Sequence, residues 1–270
     1  MPFDSRLWFP GCVASRANPS AVALRLFCLP FAGGTAAVFR RWQAALPRGV
    51  EVWAAQLPGR GGRIAEPPLR SIDDIVEPLA AVVAPLIDRP YAVFGHSMGA
   101  TIGFELIKRL RERGLPRPRW LMVSGRLAPH IPSHRPALHR LSDADFIAGL
   151  TNLNGTPPEI LENAEMMALI LPMLRADFEA IETYRSNDGR GLDCRLIAVA
   201  GQDDPEAAPG EVVAWRRYAG AGFRFEVFPG NHFFISHAFH DLMRLIIEEA
   251  GRDGSVAVAV DRQRSWAPGA

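Results

Sequence analysis

Cysteine is scarce: Cys12, Cys28 and Cys194 are the only thiols among 270 residues. With no C-x-x-C pair, they exclude a disulfide framework and the common zinc and dithiol redox motifs, and a reducing cytosol suits that usage best. No run of about 18 apolar residues occurs, which argues against a membrane-spanning helix. Charge of one sign is lacking as well. Thirty Lys and Arg face 29 Asp and Glu, a net +1, so neither nucleic acid nor an anionic membrane is expected as a partner. G-x-G-x-x-G is absent, and the Gly33-Gly34 pair lacks the Lys and Ser/Thr of a P-loop, which removes nucleotide binding from the leading readings.

Hydrophobic residues make up 48% and charged residues 22%, the balance of an ordinary globular chain, and the length allows one large core. Six short apolar segments, ALRLFCLP, VEVWAAQL, PYAVFG, RWLMVSG, CRLIAVAG and FRFEVFPG, alternate with helical patterns at 36–46, 71–87, 99–113 and from Ser236 onward. Near-continuous apolar strands between helices predict an α/β fold: a mostly parallel sheet covered on both faces. Ser71 with Asp74 three residues on offers a capping box for the second helix.

Residues 1–20 hold an apolar run at 7–14 broken by Pro10 and Gly11, and read as a flexible N-terminal arm. The domain is expected over 21–250, and 251–270, poor in large apolar side chains, reads as a disordered tail. Between 127 and 187 the strand rhythm stops in favour of prolines and short helical patterns, one interrupted by Pro172. An insertion after a strand's C-terminal end lies over the ligand-binding edge of a parallel sheet, so a helical lid is expected, with a plain extension of the core as the alternative.

The sharpest chemical signal is Gly95-His96-Ser97-Met98-Gly99, directly after the strand YAVF and before the helix ATIGFELIKRL. G-x-S-x-G in that context is a nucleophile elbow: the turn is too tight for side chains at the glycine positions, and Ser97 stands at a helix N-terminus that favours negative charge. A serine hydroxyl needs a base, and the base a carboxylate, in the chain order Ser, acid, His for this type of sheet. His232 follows the last strand. His130, His134 and His139 lie in the insertion, and His237 and His240 in the final helix. His130 and His134 straddle Pro132 and do not make a helical metal pair; no metal is expected. Asp203 and Asp204 compete as the acid. Asp204 has the better spacing after Gly201, leaving Asp203 free to cap a helix near Pro205. An oxyanion hole needs two N–H donors, expected from Met98 and from Ala32 in LPFAGGT, with Phe31 as the neighbouring alternative.

Beyond these groups, LFCLPFAGGTAAVFRRW, VEVWAAQLPGRGGR, RPYAVFGHSMGATIGFEL, LNGTPPEILENAEMMALILPMLRADFEAIETY, GQDDPEAAP with Trp215 following, and FPGNHFF occur in order over residues 24–249. Together they strongly resemble the type II thioesterases, members of the α/β-hydrolase superfamily. Asn231, in place of a common glycine, and Gly62, in place of a common acidic residue, depart from the pattern. The resemblance implies a free-standing enzyme that hydrolyses aberrant or stalled acyl thioesters from the phosphopantetheine arm of acyl or peptidyl carrier domains in polyketide or nonribosomal peptide synthesis. It implies no cofactor of the enzyme's own and a transient carrier partner; a monomer and, from the cysteine usage, a cytoplasmic location are expected beside it. It supports Ser97, Asp204 and His232 as triad and Ala32 and Met98 at the oxyanion hole. Phe31, Met166, Met167, Leu171, Met173 and Phe233 are candidates to line the acyl site, although Met and Leu at helical spacing equally suit a core. Lys108, Arg109, Arg111, Arg113, Arg117 and Arg119 form either a carrier-docking surface or a solvated helix face. An oxygen-ester esterase or lipase, a ligand-binding relative without turnover and a metal-dependent hydrolase are the rival readings.

Overall fold

The structure, a computed structural model, describes residues 4–11, 22–153, 155, 158–186, 189–252 and 256. All six apolar segments are strands: β1 (Leu24–Leu29), β2 (Val50–Ala54), β3 (Tyr91–His96), β4 (Trp120–Ser124), β5 (Arg195–Gly201) and β6 (Phe223–Phe228). They form one sheet in the order β2-β1-β3-β4-β5-β6, every neighbouring pair parallel. The order reverses between β1 and β3, which opens a crevice at their C-terminal ends.

The helices in chain order are α1 (Ser5–Trp8), α2 (Trp42–Ala45), α3 (Ile72–Val83), α4 (Met98–Glu112), α5 (Asp143–Leu153), α6 (Pro158–Leu161), α7 (Ala164–Thr183), α8 (Pro209–Val212), α9 (Phe234–His237) and α10 (Phe239–Gly251). Strand side chains alternate between two cores, as the period of two requires. Phe27, Tyr91, Val93, Leu121 and Leu196 pack with α3 and α4 on one face. Leu26, Ala92, Phe94, Met122 and Ile197 pack with α2 and α10 on the other. The Ser71 Oγ accepts the Asp74 N–H at 3.0 Å, so the N-cap expected for α3 is formed.

Several expectations are corrected. The pattern at 36–46 splits into a 3-10 turn, Ala36–Phe39, and the short α2. Pro172 does not interrupt α7, which runs unbroken for 20 residues. Pro172 lies on the exposed side together with Ala168, so the carbonyl left without a helical donor faces water. Residues 4–11 are not a loose arm. Trp8 and Phe9 are 4% and 1% exposed, Phe9 meets the rings of Phe27 and Trp53 at 5.5 Å each, and the Gln56 N–H donates to the Trp8 carbonyl at 2.7 Å. The apolar run that Pro10 and Gly11 break is long enough to plug the core. Residues 12–21 lie outside the described residues. So do 253–255 and 257–270 of the expected tail, whereas Val256 is buried.

The insertion carries α5, α6 and α7 with a small core of its own, built from Phe146, Leu150, Met167, Met173 and Leu174. Glu182, near the end of α7, accepts the N–H groups of Leu138 and His139 and pairs with the His139 ring, pinning the entry of the insertion to its exit. No helix among the described residues is long and apolar enough to cross a membrane.

Candidate active site

The ends of β1 and β3 lie side by side, with Leu29 paired to Gly95, so the loop after β1 and the turn after β3 leave the sheet together. Ser97 sits in that turn with φ 53° and ψ −116°, the sole described non-glycine residue at positive φ. A Cβ on Gly95 would overlap the Gly99 carbonyl, and one on Gly99 would overlap the Leu29 carbonyl; both glycines of the motif are therefore steric necessities. Ser97 keeps its own N–H on the Ser124 carbonyl at 2.8 Å, and α4 begins at Met98.

The loops after β5 and β6 also leave at one level, where Gly201 pairs with Phe228. They deliver Asp204 and His232. The His232 Nε2 lies 3.0 Å from the Ser97 Oγ, and its Nδ1 lies 2.9 Å from the Asp204 Oδ2. Asp204 is 3% exposed, and its other oxygen, Oδ1, accepts the Glu206 and Ala207 N–H groups at 2.8 and 3.2 Å. Those two bonds fix the carboxylate before any substrate arrives. Asp203 is exposed and makes no such cap; the following helix, α8, starts only at Pro209. The Asn231 side chain accepts the Phe233 N–H at 3.0 Å, a local turn that holds the histidine loop where a glycine is more common.

Phe31 to Gly34 form a tight turn, closed by the Gly34 N–H on the Phe31 carbonyl at 2.8 Å, with Gly33 at φ 80° as the third residue of a type II turn demands. Among the described residues the N–H groups of Ala32 and Met98 have no hydrogen-bond acceptor. Two open donors beside a serine can stabilise an oxyanion.

His96, inside the elbow, is fully buried, and its ring lies 5.2 Å from that of His232. Burial and then the neighbouring imidazole hold its pKa well below the ordinary histidine value. Its Nδ1 meets the Ser124 Oγ at 3.0 Å, which ties the elbow to the end of β4. Burial also pushes the Glu206 carboxyl up, against the pull of the Arg135 guanidinium paired with it.

The residues suggested for an acyl site separate into groups. The Phe31 and Phe233 rings lie 5.1 Å apart, Phe233 is 5.2 Å from the His232 ring and Phe31 is 5.9 Å from the His96 ring. Met167 and Met173 belong to the lid's own core, Leu171 packs partly on that core, and Met166 is 42% exposed. The basic cluster is largely paired within the chain: Arg109 and Arg113 with Glu77, Lys108 with Glu105, and Arg111 with Asp193 at 3.5 Å. His134 pairs with Glu211. No group of three or more metal-ligating side chains converges among the described residues.

Two residues of the site neighbourhood escaped the reading of the sequence. Arg60, in the P-G-R loop, and Asp177, in α7, form a buried ion pair beneath the turn at Phe31–Gly34. No local pattern marks them, because they are 117 residues apart in the chain.

A parallel sheet with a serine elbow at its switch point, and an acid and a histidine on the loops after two later strands, here β5 and β6, defines the α/β-hydrolase fold. Residues 24–249 match the thioesterase domain family. The chain is 41% identical over 251 residues to the gramicidin S biosynthesis protein GrsT of Aneurinibacillus migulanus, which covers 92% of this chain and 96% of that protein. It is similar in structure to the thioesterase RedJ from the prodiginine pathway of Streptomyces coelicolor, with TM-score 0.79 and 40% identity over 86% of this chain and 87% of that one. The type II thioesterase BorB from the borrelidin cluster gives TM-score 0.78 and 38% identity over 86% and 94%. The chain belongs to the thioesterase family, in its type II branch.

Proposed function

We propose that this thioesterase hydrolyses aberrant or stalled acyl groups from the phosphopantetheine arm of carrier domains, through an acyl-enzyme on Ser97. The observation that carries the reading is the continuous relay from the Ser97 Oγ through His232 to Asp204, at 3.0 and 2.9 Å, in a chain of this family. His232 takes the hydroxyl proton as the Ser97 Oγ attacks the thioester carbonyl. The N–H groups of Ala32 and Met98 receive the oxyanion, and its collapse expels the carrier thiol. Water then attacks the acyl-enzyme with His232 again as base, releasing the acid and restoring the serine. A thiol, with a pKa near 8.5, leaves readily, so the general acid has little to do and selectivity rests on access. Phe31 and Phe233 flank the acyl group next to the serine. No cofactor enters these steps, and the carrier is met only for a turnover.

The relatives named for gramicidin S and prodiginine biosynthesis support a carrier-bound substrate. The test is a panel of carrier domains loaded with acetyl, propionyl and longer acyl groups. Wild type is expected to release them and Ser97→Ala to lose about 10⁴-fold or more in rate. Carrier thioesters left intact beside rapid cleavage of free oxygen esters would replace this reading with an esterase.

A further inference from the structure

The P-G-R loop has no part in the relay, yet its arginine is among the most deeply buried charges of the molecule. Arg60 and Asp177 are 2% and 0% exposed. The guanidinium binds the carboxylate with both terminal nitrogens, at 2.6 and 2.7 Å, and donates further to the Gly34 and Pro58 carbonyls at 3.3 Å each. The Asp177 Oδ2 also accepts the Gly33 N–H at 2.7 Å. Gln56 extends the set. Its side chain accepts the Ala36 N–H at 3.0 Å and donates to the Arg60 carbonyl at 2.9 Å. The N–H of Gly33, which belongs to the peptide following Ala32, and the carbonyl of Gly34, one residue further on, are thus held by one ion pair. Half of that pair comes from α7. The same helix brings the Leu174 Cδ2 within 2.5 Å of where a Gly33 Cβ would stand.

We propose that Arg60 and Asp177 form a positioning clamp for the oxyanion turn, tying the aim of the Ala32 N–H to the seating of lid helix α7. An apolar pair would fill the same space at equal or lower cost in stability. It would leave the Gly33 N–H and the Gly34 carbonyl unheld, and a donor displaced by about 1 Å loses on the order of 100-fold in rate. Lid and oxyanion hole are therefore one mechanical unit: α7 seated means the donor aimed. The clamp rests on the acyl-enzyme reading above and adds to it a device that depends on the lid.

The experiment compares wild type, Asp177→Asn and the apolar double variant Arg60→Met/Asp177→Leu, the last chosen to keep the interior filled. Active sites are counted by end-point fluorophosphonate labelling, so that partial unfolding does not masquerade as slow chemistry. Both variants are expected to lose about 10- to 100-fold in kcat per labelled site, with KM for an acyl carrier within about threefold of wild type. Affinity for an alkyl trifluoromethyl ketone, whose adduct carries the oxyanion, falls in parallel with kcat/KM. Affinity for a thioether-linked acyl carrier and the pH profile of kcat/KM stay as in wild type. Full kcat per labelled site in the double variant, whatever its melting temperature, overturns the clamp while leaving the acyl-enzyme reading intact. Wild type without Ser97-dependent thioester hydrolysis would overturn both.

Discussion

At φ 53° the Ser97 backbone occupies a region that costs about 1–3 kcal/mol, and the strain is held by Gly95, Gly99 and the bond from the Ser97 N–H to the Ser124 carbonyl. The neighbouring aspartates test how finely the site is built. Asp204→Asn is expected to lower kcat about 10⁴-fold, by analogy with the loss of the correct imidazole tautomer. Asp203→Asn, at an exposed position, is expected to stay within about twofold of wild type in the same assay. His96 predicts a pH effect on stability rather than on chemistry. Its pKa is depressed in the folded state, so the unfolded chain binds more protons once the pH drops below the unfolded value of about 6.5. The His96 contribution to stability is therefore level above about pH 6.5 and falls below it, with a limiting slope for one proton of about 1.4 kcal/mol per pH unit. Urea unfolding between pH 7.5 and 5 measures this, and His96→Asn is expected to flatten that part of the curve. An unchanged slope in the variant would mean that another group titrates there.

Among the elements, the lid has the most independence. Its small core centres on Phe146, fully buried against the Phe178 ring at 5.4 Å and under the Arg175 guanidinium at 4.6 Å. Phe146→Ala is expected to cost about 3–5 kcal/mol, borne by the lid rather than by the sheet. Hydrogen exchange should then rise in α5 and α7 while β3 and β4 remain protected. Turnover per labelled site should fall as well, because the half of the clamp carried by α7 is loosened. Equal loss of protection in the strands would mean that lid and sheet unfold together. The helix patterns of α3 and α4 were legible from period and caps. The path of α7 was not: whether Pro172 breaks a helix depends on which side of it faces water, and that is decided by packing.

For the whole molecule, the segment at 4–11 closes one core rather than trailing from it. Trp8 lies under the Arg63 guanidinium at 4.6 Å, and Phe9 completes an aromatic group with Phe27 and Trp53. Phe9→Ala is expected to cost about 3–5 kcal/mol in urea unfolding, and removal of residues 1–11 more. A midpoint unmoved by either change would return the segment to the status of an arm. The basic residues around the end of α4 are a second matter of scale. Arg109 and Arg113 share Glu77 from α3, so the positive run in the chain is partly neutralised once two helices pack.

The sequence by itself determined the parallel sheet, the elbow at Ser97 and the chain order of serine, acid and histidine, because each depends on neighbours in the chain: apolar runs, glycines that only a tight turn requires, and loops at strand ends. It narrowed the acid to two aspartates and the lid residues to two roles. Only the tertiary structure decided that Asp204 faces His232, that Met167 and Met173 fill the lid, that Trp8 and Phe9 are core, and that Arg60 and Asp177 meet. Those outcomes depend on segments brought together from far apart, and the contact free energies that choose among them arise only when water leaves the space between.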